Sequence, residues 1–126
     1  MNKRSEMLES PISSTDSHAA LIRQSSLIIW DEALMANRAV LACVDETCQK
    51  IMPSSLPFGG KVVVLLGDFR QTCPVIHKGT KAEVINASIS HSATWPNFTI
   101  CRLITPIRNA GDPAFAAFVD AIGDGV

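Results

Sequence analysis

Leu27-Ile-Ile-Trp30-Asp31-Glu32 and Val62-Val-Val-Leu-Leu66-Gly67-Asp68-Phe69-Arg70-Gln71 are the two stretches that decide the fold. Each is a short apolar run that stops abruptly at acidic residues. A run of that length, bounded by turn material, reads as a strand buried on both faces, the kind found in parallel sheets. The residues between Asp31 and Asp68 leave room for one helix and a return strand. Both acidic ends then emerge side by side at one sheet edge, where open α/β sheets bind their ligands.

Outward from these runs, Ala36, Ala39, Val40, Cys43, Val44, Thr47 and Ile51 recur at helical steps, with Arg38, Glu46, Gln49 and Lys50 on the other faces. Pro53 and the Ser-Ser-Leu-Pro that follows end this helix. Phe58-Gly59-Gly60-Lys61 is a tight connection into the second strand. Ser17–Arg23 reads as one or two helical turns, Lys81–Ile89 as a short helix, and Phe98–Ile104 as a third strand. Asp112 can cap a last helix, Pro113 suits its first position, and Phe115, Phe118, Val119 and Ile122 form its apolar stripe. Gly123 suits its stop. Strands alternating with helices make an α/β fold with a parallel sheet.

The chain has 126 residues, 47% hydrophobic and 18% charged. At roughly 100–200 residues per domain, one domain is expected. Residues 1–16 are polar and aperiodic and read as a flexible N-terminal arm, with 17–126 as the folded part. A net charge of −1 gives no overall pull toward nucleic acid, so DNA binding needs a local groove. No secretory leader is legible at the start, and the longest apolar runs are far short of the roughly 20 residues a bilayer requires. The cysteines are Cys43, Cys48, Cys73 and Cys101. On one helix Cys43 and Cys48 stand about 140° apart, so they cannot share a metal, and the four read as buried reduced thiols.

The chemistry starts at Asp31 and Glu32. One carboxylate at a strand end can hold Mg²⁺, because hard cations take oxygen ligands. The other can orient or deprotonate a water. On the dipeptide alone, Asp31 reads more readily as the cap of the following helix. The second strand end shifts the balance toward a nucleotide. Gln71 is a neutral amide able to bond a phosphate oxygen and a water together. Arg108, in Leu103-Ile-Thr-Pro-Ile-Arg108, offers a fork of donors suited to phosphate. A metal-dependent hydrolase built on Asp31, Glu32 and Asp68 would want a histidine nearby, and His18, His77 and His91 adjoin neither motif.

With LIIWDEALM (27–35), PFGGK (57–61), VVVLLGDFRQTCPV (62–75), INASISHSATW (85–95), LITPIRN (103–109) and FAAFVDAIGDG (115–125), the chain resembles the petite-integration-frequency (Pif-type) DNA helicases, including those of Helitron transposons. The resemblance implies a partial RecA-like P-loop NTPase motor domain over 17–126, running from Walker B through motif III to the motif IV region. It implies ATP as substrate with Mg²⁺ on Asp31, and Glu32 as the water-activating base. It makes Gln71 the sensor of the terminal phosphate and Arg108 a nucleotide-binding arginine. Phe69 and Arg70 would lie toward single-stranded DNA, in a protein that unwinds duplex DNA in recombination, repair and telomere maintenance, in the nucleus or mitochondrion. The chain departs from the family pattern at Leu34, Thr72-Cys73 and Pro106-Ile107. No G-x-x-x-x-G-K-[ST] occurs in the 126 residues, and Gly59-Gly60-Lys61 precedes its strand instead of following one. The expectation is therefore a helicase fragment, with a non-catalytic remnant that at most binds DNA or a partner as the alternative. The strand 62–66 should lie beside 27–30, leaving apolar faces uncovered.

Overall fold

The computed structural model describes residues 8–70, 79–105, 107–108 and 110–125. Helix α1 (Ser17–Gln24) starts at Asp16, whose carboxylate accepts the backbone N–H of His18 at 3.1 Å. Strand β1 (Leu27–Trp30) follows, then a 3-10 turn at Ala33–Met35. Helix α2 (Arg38–Ile51) is capped by Asn37, which accepts from Ala39 N at 3.0 Å. So Asp31 does not cap this helix; a neutral amide does. Strand β2 (Val62–Leu65) returns parallel to β1, pairing Leu27 with Val62 through Trp30 with Leu65.

Only one face of this two-stranded sheet is covered. Ile28, Trp30, Val63 and Leu65 pack on a core of Leu34, Leu41, Cys48, Phe58 and Ile89. Leu27, Ile29, Val62 and Val64 alternate onto the other face, where Ile29 is 60% and Val62 61% exposed. The expectation of strands buried on both faces is thus corrected, while the expected uncovered apolar face is present, with Leu27, Ile29, Val62 and Val64 all exposed. Of the expected α2 stripe, Ile51 is buried and Ala36 and Val44 pack against the core, but Cys43 and Thr47 do not join it. Leu41, Cys48 and Ile51 are its buried residues, while Cys43 and Thr47 line a cleft of about 230 Å³ shared with Leu8, Ile12 and Ser14.

The connection from α2 to β2 is built to hold the strand. Phe58 and Gly59 both take left-handed backbone angles (φ 53° and 62°). A Cβ on Gly59 would sit 2.5 Å from the Cys48 carbonyl oxygen, so only glycine lets the loop close on α2. Asp45 of α2 clamps the same loop: its Oδ1 accepts Phe58 N at 2.6 Å and Gln49 Nε2 at 3.0 Å. Lys61 Nζ donates to the carbonyls of Arg23 (2.7 Å) and Ser25 (2.6 Å) and so pins the start of β2 to the α1–β1 connection. This lysine ties backbone together and is no phosphate-loop lysine.

Helix α3 (Lys81–Asn86) opens with a capping box between Thr80 and Glu83. It stops earlier than expected, because Ser88 makes a β-bridge to Asn37 and Ile89–His91 is a 3-10 turn. The expected third strand over 98–104 does not form. Residues 98–105 carry no regular structure, and Leu103 is 99% exposed. With no strand beside it to donate or accept ladder bonds, an apolar run has nothing to hold it extended. Helix α4 (Pro113–Gly123) begins as expected, with Asp112 accepting Phe115 N at 2.9 Å. It runs through Gly123 to a cap at Asp124. Its stripe is not packed: Phe115, Phe118, Val119 and Ile122 are exposed, and Ala116 is its buried residue. Cys48 is buried, Cys43 half-buried and Cys101 exposed, which corrects the expectation of uniformly buried thiols; Cys73 lies outside the described residues.

Candidate functional site

The parallel register brings the two acidic ends together. Beyond the last pair, Leu66 N donates to Trp30 O at 2.9 Å, and Ala33 N donates to Leu66 O at 2.9 Å. The Asp31-Glu32 corner is therefore threaded between two backbone bonds to the segment that leads into Asp68. Gly67 makes the close approach possible. A Cβ there would fall 2.8 Å from Leu34 Cγ, inside van der Waals contact. The two motifs are thus packed against each other through Gly67 and Leu34.

Asp31 Oδ1 accepts the backbone N–H of Glu32 at 2.9 Å, and both side chains are exposed. Glu32 sits in the left-handed region at φ 52°, ψ 34°. For a residue with a Cβ this costs on the order of 1–3 kcal/mol and recurs at functional sites. The corner turns both carboxylates outward at the strand end. Among the described residues no group of three ligating side chains gathers. Asp31 is still a suitable hard oxygen donor, because Mg²⁺ commonly keeps several waters and binds one or two carboxylates plus substrate phosphates.

On the other strand end, Asp68 and Arg70 form a fork. Arg70 Nε and Nη2 donate to Asp68 Oδ1 and Oδ2 at 3.2 and 3.1 Å, and Arg70 N donates to Asp68 Oδ1 at 2.8 Å. These bonds, the side-chain ones first, hold the Asp68 carboxyl below its usual range and push the guanidinium further up. Arg70 Nη1 reaches across to Asp120 at 3.4 Å and Asp124 at 3.6 Å, at the end of α4. Phe69 stands edge-on to Trp95 with ring centroids 6.0 Å apart, yet half of it is exposed. The ring is partly packed and partly open.

Two sequence-predicted residues remain, Gln71 and Arg108. Gln71 lies outside the described residues. Arg108 occupies an exposed turn, and no hydrogen bond or ion pair among the described residues joins it to Asp31 or Glu32. What the sequence reading missed is the support beneath the site. Asp45 Oδ2 accepts Thr94 Oγ1 at 3.5 Å, Arg38 N donates to Ala87 O at 2.8 Å, and Arg38 Nη1 donates to Asn86 Oδ1 at 3.3 Å. Ile89 is fully buried, and Ser88, Ser92 and Thr94 are buried polar residues. The Asn-Ala-Ser-Ile…Thr-Trp run thus braces α2, which in turn carries the crossover between the two acidic ends. The signal was present in the sequence as a polar run too specific for a solvated loop.

A family model described as PIF1-like helicase matches residues 2–126. The ATP-dependent DNA helicase PIF1 of Candida albicans is 31% identical over 111 residues, which is 82% of this chain and 12% of that protein. The crystal structure of Pif1 helicase from Candida albicans matches with a TM-score of 0.68 at 29% identity, over 86% of this chain and 24% of that one. The Pif1 helicase from Bacteroides in complex with ADP-AlF3 and ssDNA matches with a TM-score of 0.68 at 20% identity, over 96% of this chain and 29% of that one. The fold is accordingly α/β of the RecA-like type, and the chain spans a minor share of each of these relatives.

Proposed function

The chain belongs to the PIF1-like helicase family, and from that premise we propose that it is the part of an ATP-driven DNA helicase motor that carries the metal, water and DNA-coupling groups. The observation that carries this reading is the pairing of the Asp31-Glu32 corner with the Gly67–Arg70 segment through the Trp30, Leu66 and Ala33 backbone bonds. Asp31 would hold Mg²⁺ with the nucleotide phosphates, and the ion would supply charge neutralisation there when bound. Glu32 orients the attacking water and takes its proton. Gln71 reads the terminal phosphate, and Arg108 contributes positive charge to the same nucleotide. Phe69 offers the open half of its ring to a base of single-stranded DNA, and Arg70 its guanidinium to a backbone phosphate. The reading extends to duplex unwinding in recombination, repair and telomere maintenance, in the nucleus or mitochondrion.

A phosphate loop supplies the backbone donors and the lysine that hold a nucleoside triphosphate. These 126 residues contain no such motif, so the chain by itself is expected to show no ATP turnover. It should still bind single-stranded DNA weakly, in a salt-dependent way. The test measures phosphate release with Mg²⁺ and DNA for the wild type and Glu32→Gln, and DNA binding for the wild type and Phe69→Ala. Turnover that Glu32→Gln abolishes would show the chain to be a complete ATPase. DNA binding unchanged by Phe69→Ala would remove the DNA-coupling part of the reading.

A further inference from the structure

Arg70 is held from two sides. Asp68 takes Nε and Nη2, as a fork fixed by its own place two residues earlier in the turn. Asp120 and Asp124 take Nη1 from the far end of α4, at 3.4 and 3.6 Å. The arginine stem lies across the same helix end: a Cβ on Gly123 would stand 3.3 Å from Arg70 Cδ and from Nη1. So α4 is docked on this side chain as well as charge-paired with it.

Little else holds α4. Its apolar stripe is exposed and Ala116 is its buried residue. Among the described residues, every hydrogen bond or ion pair from residues 112–125 to the rest of the protein runs through Arg70. Both aspartates are well exposed, at 65% and 62% of their side chains. Exposed pairs of this kind are weak and easily exchanged. A phosphodiester oxygen has the same charge and acceptor geometry as the carboxylate it would replace, and arginine binds it at least as well.

We propose that Asp120 and Asp124 form an autoinhibitory contact: they occupy the Arg70 guanidinium where a nucleic-acid phosphate binds, so that single-stranded DNA must displace α4 to engage it. Asp68 keeps its fork throughout and aims the released Nη1. DNA binding and undocking of α4 become one exchange of acceptors on one nitrogen. This rests on the reading of Arg70 as a DNA contact given above.

The experiment measures binding of a fluorescent thymidine oligonucleotide by anisotropy at low salt. The probe is compared across the wild type, Asp120→Asn/Asp124→Asn, a charge-matched control Glu9→Gln/Glu46→Gln, Arg70→Ala, and the triple change Arg70→Ala/Asp120→Asn/Asp124→Asn. Freeing Arg70 should tighten binding by about threefold to tenfold. The control, which alters net charge equally at sites away from Arg70, should shift it by less than about twofold. In the triple variant the gain over Arg70→Ala should vanish. Arg70→Ala weakening DNA binding while the aspartate variant matches its control would overturn the autoinhibitory contact and leave the DNA reading of Arg70 standing. DNA binding indifferent to Arg70→Ala would overturn both. Far-ultraviolet circular dichroism on each variant shows whether all remain folded, and these exposed Asp-to-Asn changes remove no packed atoms.

Discussion

Replacing Gly67 by alanine adds one methyl group where the two acidic strand ends touch. That carbon would lie 2.8 Å from Leu34 Cγ, 3.1 Å from Cδ1 and 3.3 Å from Cβ. Leu34 is only 7% exposed and belongs to the central cluster, so it cannot simply swing into solvent. Overpacking of this kind costs about 1–3 kcal/mol. Leu34→Ala alone leaves a cavity and costs about 2–5 kcal/mol. Combined, the alanine at 67 partly fills the space that Leu34 vacates, so the two changes should cost less than their sum, with a coupling of about 0.5–3 kcal/mol. The assay is urea unfolding of the four members of the cycle at low protein concentration, followed by tryptophan fluorescence. The Asp31-Glu32 corner follows Leu34 through the short turn at Ala33–Met35, so Gly67→Ala should also alter the environment of Trp30. Additive losses, within about 0.3–0.5 kcal/mol, would refute the claim that Gly67 is required by contact with Leu34.

Asp45→Ala should cost about 1–3 kcal/mol, since it strips the acceptor from the Phe58 N–H under the loop; Asp45→Asn, which keeps one oxygen, should cost less by the same denaturation assay. The Arg70 fork depresses the Asp68 pKa in the folded chain, so its stabilisation is present above the unfolded value of about 3.9 and is lost as pH falls through the lower folded value. Carboxyl titration by NMR should show a midpoint below that of a free aspartate, which Arg70→Ala raises back; an unmoved midpoint argues against the fork. Ile29→Thr with Val64→Thr keeps β-branched residues while making the open sheet face polar, and light scattering on heating should fall with little change in the unfolding midpoint. Equal scattering would show that the open sheet face does not drive aggregation.

The parallel pairing and the adjacency of Asp31 and Asp68 were legible because both apolar runs end in acid and are spaced by one crossover. The Asp112 cap of α4 was likewise written in local chemistry. The third strand was not legible as absent. Phe98–Ile104 has the composition of a strand, and composition does not say whether a neighbour exists to pair with it. The α2 stripe was misplaced in part for a related reason: Cys43 and Thr47 satisfy the period but line a cleft with residues 8–14, while Val44 and Ile51 pack inward as expected. The contacts of Arg70 with Asp120 and Asp124 were not legible, because those partners are far away in sequence. Glu32 gave no warning of its left-handed backbone, which is set by the bonds flanking the corner.

The parallel register of β1 and β2 also sets how the chain must fold. A parallel pair cannot zip from a turn as a hairpin does, so Leu27 cannot meet Val62 until α2 and the Phe58-Gly59 loop have reversed the chain twice. On a ribosome adding roughly 5–20 residues per second, β1 emerges some seconds before its partner exists. For that interval Leu27–Trp30 is an unpaired apolar segment, protected by nothing but the polar residues on either side. The amphipathic α2 emerges next and is local enough to form within microseconds. It is therefore the first surface on which the waiting strand can settle, and the order of synthesis becomes the order of assembly.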